Sequence, residues 1–126
     1  MPETDSTKAV WVDLPDAARQ SDAPSGPQWS HESADLDLTL LSWADGRGIE
    51  PHKNDEIDVV WVGIEGEGRA TVDGEVHELR PGVTLLIPKG AVRSVWSVST
   101  PFLYLSIHRR RAGLRPTLGR GGRTPL

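Results

Sequence analysis

The stretch Gly82-Val-Thr-Leu-Leu-Ile-Pro88-Lys-Gly90 decides how this chain folds. Residues 84–87 form a short apolar run, and the proline and glycine that follow it indicate a strand closed by a turn. The continuous apolar character predicts that this strand is buried on both faces. Pro81-Gly82 predicts a second turn just before it. The remaining segments are therefore interpreted as strands that pair with this one.

A hairpin is predicted immediately upstream, where Asp73-Gly74 separates two alternating segments. Asp-Gly is typical of a two-residue hairpin, because both central positions need positive φ. Strands are predicted at residues 8–12, 36–43, 57–64, 68–72, 75–79, 83–87, 92–98 and 102–108. About eight strands at regular spacing, with only a helical turn capped by Asp13, predict an all-β barrel or jelly roll.

The composition favours one small domain. The chain has 126 residues, and its 13 glycines and 10 prolines favour many short strands over helices. We divide it into an N-terminal edge strand and loop (1–35), a barrel core (36–108) and an Arg-rich C-terminal tail (109–126). The absence of cysteine excludes disulfides and thiolate metal sites. The polar N-terminus lacks the pattern of a secretory signal, and no apolar stretch spans a membrane, so the cytoplasm is the expected compartment.

The charges are unevenly distributed along the chain. The formal net charge is −4, and all 18 acidic residues precede position 109, whereas six arginines follow His108. An acidic body disfavours nucleic acid as the main partner. The tail is expected to fold over an acidic surface of its own or a neighbouring subunit, or to stay disordered.

The stretch quoted first resembles the second motif of the cupin superfamily, Gly-x5-Pro-x-Gly-x2-His-x3-Asn. Gly82, Pro88 and Gly90 match this motif, whereas Arg93 and Ser97 stand where the His and Asn are expected. The resemblance implies a cupin-type jelly-roll β-barrel in a single domain.

The first cupin motif, Gly-x5-His-x-His-x3–4-Glu-x6-Gly, is matched only in part. With Gly66 as its last glycine, Gly46 and His52 match, Asn54 replaces the second His and Val59 replaces the Glu. The chain also resembles small single-domain cupins of actinobacteria with a degenerate metal site, through its segments NDEIDV (54–59), GEG (66–68), DGE (73–75), LRPG (79–82), IPKG (87–90) and HRRR (108–111). Cupin enzymes usually hold iron, manganese, nickel or zinc with the motif His and Glu. The resemblance therefore implies that this chain has no resident metal.

A second register keeps more of the metal donors. Glu50-x-His52-x3-Glu56-x6-Gly63 fits the first motif, with Glu in place of the first His. Asp58 lies one residue from the expected Glu, and a bulge would turn it inward. If a divalent metal binds, its expected ligands are His52, Glu50, Glu56 and Asp58.

Arg93 is the most informative departure from the family pattern, because it puts a permanent cation where cupins carry a His. Its guanidinium can hold a ligand carboxylate or phosphate through two parallel hydrogen bonds. It can equally form an internal salt bridge with Asp58 or Glu56. The sequence leaves both interpretations open.

Three functional hypotheses follow from these residues. The first is a binder of a small anionic or aromatic molecule, with Trp43 and Trp96 as further lining residues. Its candidate ligand-binding residues are Arg93, His52, Asn54, Trp61 and Tyr104. The second is a metal-dependent isomerase or dioxygenase with a variant ligand set around His52. The third is metal-free acid–base catalysis, with His52 as base and Tyr104 as acid.

A homodimer is the expected assembly. Cupins commonly pair through exposed strands, and pairing would cover the edge strand predicted at residues 8–12. A small molecule and a second copy of the chain are therefore the expected partners.

Overall fold

Nine strands and one helix make up the described part of the chain. The computed structural model describes residues 8–110. The helix α1 spans Leu14–Gln20. The strands are β1 (Gly26–Glu32), β2 (Leu36–Trp43), β3 (Gly48–Lys53), β4 (Val59–Glu65), β5 (Gly68–Val72), β6 (Glu75–Leu79), β7 (Thr84–Ile87), β8 (Val92–Ser97) and β9 (Phe102–Arg109). The prediction of an all-β fold is confirmed.

The strands form two antiparallel sheets. The larger sheet has the order β1-β2-β9-β4-β7, and the smaller sheet has the order β3-β8-β5-β6. In the larger sheet, β9 lies at the centre and pairs with β2 on one side and β4 on the other. The apolar side chains between the sheets form one core, whose largest members are Trp61, Phe102 and Tyr104.

The short helix forms where the sequence predicts it. The carboxylate of Asp13 accepts the backbone N–H of Asp16 at 3.0 Å, which satisfies one of the unpaired donors at the helix start. A proline in the first turn costs nothing there, because its missing N–H would have no partner. α1 contacts β1, β2 and β4. It is too short to cross a bilayer, and no longer helix occurs in residues 8–110.

The prediction of an edge strand at residues 8–12 is wrong. These residues lie outside regular secondary structure, and Trp11 is highly exposed. Their β-branched and aromatic residues favour an extended backbone, but such a segment forms a strand only where a partner strand is available. One edge of the larger sheet is instead β1 (Gly26–Glu32), which lies in the part of the N-terminal segment 1–35 that was predicted as loop. Pro27 is tolerated there because an edge strand need not donate every N–H.

Three further details of the sheet differ from the prediction. β7 is not buried on both faces: it is the other edge of the larger sheet, and Leu86 is 60% exposed. β3 includes Pro51, in a segment where no strand was predicted, and its register shifts between Ile49 and His52. β4 begins at Val59 rather than at residue 57. The homodimer was predicted because it would cover the strand at residues 8–12. Since that strand does not form, the homodimer remains a prediction without this support.

One end of the barrel is built from four connections, which we call the 54–58 end. They are residues 33–35, 54–58, 73–74 and 88–91. The N–H of Gly90 donates to the carbonyl of Asn54 at 2.8 Å, which joins two of these loops. Asp73 joins a third loop to β8, because its N–H donates to the carbonyl of Val92 while its carboxylate accepts the N–H of Val92.

Candidate functional site

Arg93 points into the barrel near the 54–58 end. It is the second residue of β8, and its side chain is only 2% exposed. β3 brings His52 directly opposite Arg93 in the strand register. Arg93 Nε donates a hydrogen bond to His52 Nε2 at 3.3 Å. The structure therefore brings two of the predicted ligand-binding residues into contact.

This contact fixes the protonation of His52. Because Nε2 accepts from Arg93, the ring proton lies on Nδ1, which donates to the carbonyl of Glu50 at 3.1 Å. Burial lowers the pKa of His52, the bond to the Glu50 carbonyl opposes that effect, and the charge of Arg93 lowers the pKa further. His52 is accordingly a neutral acceptor at neutral pH, and its Nε2 lone pair is engaged by a cation.

We expect folding to weaken in acid through His52. Since the folded-state pKa lies below the ordinary value of 6.5, the unfolded chain binds the proton more tightly than the folded protein does. The stability contributed by neutral His52 is present above the unfolded-state pKa and is lost as the pH falls through the folded-state pKa. Urea unfolding followed from about pH 7.5 down to about pH 4.5 measures this dependence.

The control for this prediction is His52→Gln, which removes the titrating group. Its free energy of unfolding should fall less steeply with acid than that of the wild type. The same change at His77, on β6, is the matched substitution. Equal slopes in His52→Gln and the wild type would contradict the prediction.

Two of the other predicted ligands near His52, Asn54 and Asp58, bond to the loops of the 54–58 end. The amide oxygen of Asn54 accepts the N–H of Glu56 at 2.8 Å. The carboxylate of Asp58 accepts the N–H of Lys89 at 2.9 Å, and Asp58 is exposed rather than turned inward by a bulge. Glu50 and Glu56 are exposed as well. Asn54 and Asp58 therefore shape the loops around Arg93 and His52.

The residues at the motif positions do not fit a divalent metal. The Nε2 of His52 is bonded to Arg93, the Asn54 oxygen is bonded to a backbone N–H, and Val59 offers no donor atom. Arg93 adds a permanent positive charge next to any cation placed there. Within residues 8–110, no three His, Asp or Glu side chains are grouped closely enough to hold a metal ion. Neither register therefore provides the imidazole and carboxylate set that such metals prefer.

The larger sheet contributes Trp61 and Tyr104 to the barrel interior. Both are fully buried, and their rings lie 5.3 Å apart. Burial raises the pKa of the Tyr104 phenol, although the hydrogen bond from Trp43 Nε1 to its oxygen lowers it slightly. A phenol held neutral in this way is a weak proton donor at neutral pH, which disfavours Tyr104 as a general acid.

One predicted lining residue lies elsewhere, and several polar residues were missed. Trp96 is on the outer face of β8 and is 37% exposed, so it does not line the barrel. Strand alternation places Ser106 on the same inner face as Tyr104 and His108, which is the signal that could have identified Ser106 as a lining residue. Register adds Thr39 beside Ser106 and Asp37 beside His108, whose Nε2 lies 3.9 Å from the Asp37 carboxylate.

Comparison with known families agrees with this architecture. A family model described as Cupin domain matches residues 39–108, which is more than half of the chain. The chain belongs to the cupin family. Two solved cupin-fold structures illustrate the likeness. TT1209 from Thermus thermophilus has a TM-score of 0.66 and 26% identity over 79% of this chain and 95% of that one. The conserved SPY1581 protein of Streptococcus pyogenes has a TM-score of 0.69 and 20% identity over 90% and 98%.

Among curated proteins, this cupin is similar to dimethylsulfoniopropionate lyase DddW of Ruegeria pomeroyi. The two are 37% identical over 57 residues, a match that covers 45% of this chain. The match covers 37% of the lyase, so the chain spans little more than a third of that relative. The activity of the lyase is therefore a property of a longer protein.

Proposed function

We propose that this cupin binds a small carboxylate-containing molecule inside its barrel, at Arg93, without the metal used by most cupin enzymes. The observation that carries the proposal is the contact between Arg93 Nε and His52 Nε2 in a nearly inaccessible interior. A guanidinium holds its N–H donors in one plane, with neighbouring donors parallel. That geometry matches the two oxygens of a carboxylate.

His52 supports this role through its charge as well as its position. A neutral imidazole orients the guanidinium without cancelling its positive charge. The buried rings of Trp61 and Tyr104 provide apolar surface deeper in the same barrel. Small-molecule sites commonly combine mostly apolar walls with a few placed polar groups. An acid with an apolar body of a few carbon atoms, aliphatic or aromatic, fits this combination.

The curated relative offers limited support for a carboxylate. DddW is named for a propionate, which carries the group that Arg93 is suited to bind. The metal-dependent alternative for this chain would need a different donor set from the one described above. That alternative is therefore an outcome of the test rather than a second proposal.

Isothermal titration calorimetry with short aliphatic and aromatic carboxylates tests the proposal. The protein is treated with a chelator, titrated, and titrated again after addition of iron, manganese, nickel or zinc. We expect saturable binding with the same Kd in all samples, because in the proposed site Arg93 binds the carboxylate directly and no metal contacts it. Binding that appears only after a metal is added would overturn the proposal in favour of the metal-dependent alternative.

A further inference from the structure

A row of polar side chains crosses the inner face of the larger sheet. Thr39 on β2 lies opposite Ser106 on β9, and Ser106 lies opposite Trp61 on β4. Directly opposed residues of antiparallel strands share a face and lie within contact distance of one another. The packing of Trp61 against Tyr104 places this face inside the barrel.

Two atoms of this row are buried without a hydrogen bond. Trp61 is 0% exposed and Ser106 is 1% exposed. Neither Trp61 Nε1 nor Ser106 Oγ has a hydrogen-bond partner among the residues that the structure describes. Buried polar atoms are nearly always paired, so two such atoms on adjacent strands require an explanation. The indole N–H can only donate, whereas the hydroxyl can donate and accept.

The strand register places this pair one level deeper than Arg93. β7 ends at Ile87 and β8 begins at Val92, so Ile87 and Arg93 lie at the same end of the barrel. Ile87 pairs with Val59, and Trp61 lies two residues further along β4. Two residues of a strand advance about 7 Å. A ligand whose carboxylate meets Arg93 and whose body enters the barrel therefore reaches Trp61 and Ser106.

The surroundings of the pair select an uncharged group. The row contains two hydroxyls and an indole, and its neighbours on β4 and β9 include Val59 and Tyr104. A second carboxylate placed there would lose its hydration, and His108, two residues along β9, already lies 3.9 Å from the carboxylate of Asp37. A ketone or hydroxyl oxygen can accept from both Trp61 Nε1 and Ser106 Oγ at much lower cost.

We propose that Trp61 Nε1 and Ser106 Oγ bind a neutral oxygen of the ligand, which makes the ligand class a small oxo- or hydroxy-acid. The oxygen stands a few bonds from the carboxylate that Arg93 holds. This inference rests on the proposed function, because it assumes that the carboxylate binds at Arg93.

Two acids that differ by one oxygen test the inference. Levulinate (4-oxopentanoate) and pentanoate share a five-carbon skeleton and a carboxylate, but only levulinate has a ketone. Calorimetry on the wild type should show levulinate binding about tenfold more tightly. Ser106→Ala and Trp61→Phe should each remove most of this preference, whereas Arg93→Met should weaken both acids.

Ser97→Ala is the matched control, because Ser97 is an equally buried serine whose Oγ accepts the N–H of Ser99. It should keep the levulinate preference. Ser106→Ala should melt at the same temperature as the wild type or higher, since it removes a hydroxyl without a partner. A lower melting temperature would show that the hydroxyl is structural and would overturn the inference.

The titrations separate this inference from the proposed function. Equal binding of the two acids by the wild type, with both lost in Arg93→Met, would overturn the oxygen contact alone. Retention of the preference in Ser106→Ala and Trp61→Phe would do the same. Equal affinities of wild type and Arg93→Met for both acids would overturn the proposed function as well.

Discussion

Arg93→Met should weaken carboxylate binding by about 10- to 100-fold, since a charge-assisted, two-pronged hydrogen bond contributes roughly that much affinity. Methionine fills a similar volume with an apolar side chain, so the fold should survive. The half-buried His52 can bond to water when its donor is removed. We expect the free energy of unfolding of this variant to stay within about 1 kcal/mol of the wild type, or to rise.

Arg93→Lys separates the contribution of the two parallel N–H donors to binding from the contribution of the positive charge. Lysine keeps the cation but offers a compact ammonium that cannot present two parallel N–H groups. Its carboxylate affinity should fall between those of the wild type and Arg93→Met, and its stability should be the lowest, because an ammonium is harder to desolvate.

Arg69→Met is the matched control for both Arg93 variants, because Arg69 is an exposed arginine on the adjacent strand β5. It should leave affinity unchanged. Calorimetry on the wild type and the three variants gives the order of their carboxylate affinities, and urea unfolding gives the order of their stabilities. Wild-type affinity in Arg93→Met would show that the guanidinium has no role in binding.

Gly63→Ala should destabilise the protein by about 3–5 kcal/mol, the second large effect that the structure predicts. A Cβ at this position would overlap the backbone carbonyl of Arg80, which cannot rotate away as a side chain can. The same glycine bonds the β6–β7 turn twice, because its N–H donates to Val83 and its carbonyl accepts from Gly82. Moving the turn to make room would strain both bonds.

Gly74→Ala is the control for this loss of stability. Gly74 has φ of +85°, so alanine is strained there, but a Cβ would meet nothing within 4 Å. Its cost should be about 1 kcal/mol. Urea unfolding followed by tryptophan fluorescence compares the two variants. A loss in Gly63→Ala no greater than that in Gly74→Ala would mean that the turn shifts easily.

Seven of the nine strands, β2 and β4 to β9, could be predicted because their local signals agree with their partners. The Asp73-Gly74 hairpin and the alternation of β2 and β9 occur as the pattern indicates. The other two strands, β1 and β3, could not be predicted in the same way. Residues 8–12 have strand character without a strand partner, whereas β1 and β3 form around prolines because neighbouring strands supply their hydrogen bonds.

The residues of the candidate site could likewise be predicted only where the signal lies in the sequence itself. Arg93 and His52 were identified from motif spacing, and the structure places them in contact. Asn54 and Asp58 have suitable chemistry, but their oxygens accept backbone N–H groups from the loops, a use that spacing cannot reveal. Alternation along β9 places Ser106 on the inner face, but its neighbours Thr39 and Trp61 follow only from the register across β2, β9 and β4. A single sequence does not specify which strands become neighbours.

The position of β9 has a consequence for the order in which the molecule folds. β9 is the last strand in the described chain, yet it joins β2 to β4 at the middle of the larger sheet. While the chain emerges from the ribosome, β1 can pair with β2 and β4 can pair with β7, but the two pairs stay separate until β9 is made. Non-local pairing of this kind slows folding and leaves strand edges unprotected in the meantime. Nascent chains that end before residue 102 should therefore be the form most dependent on chaperones.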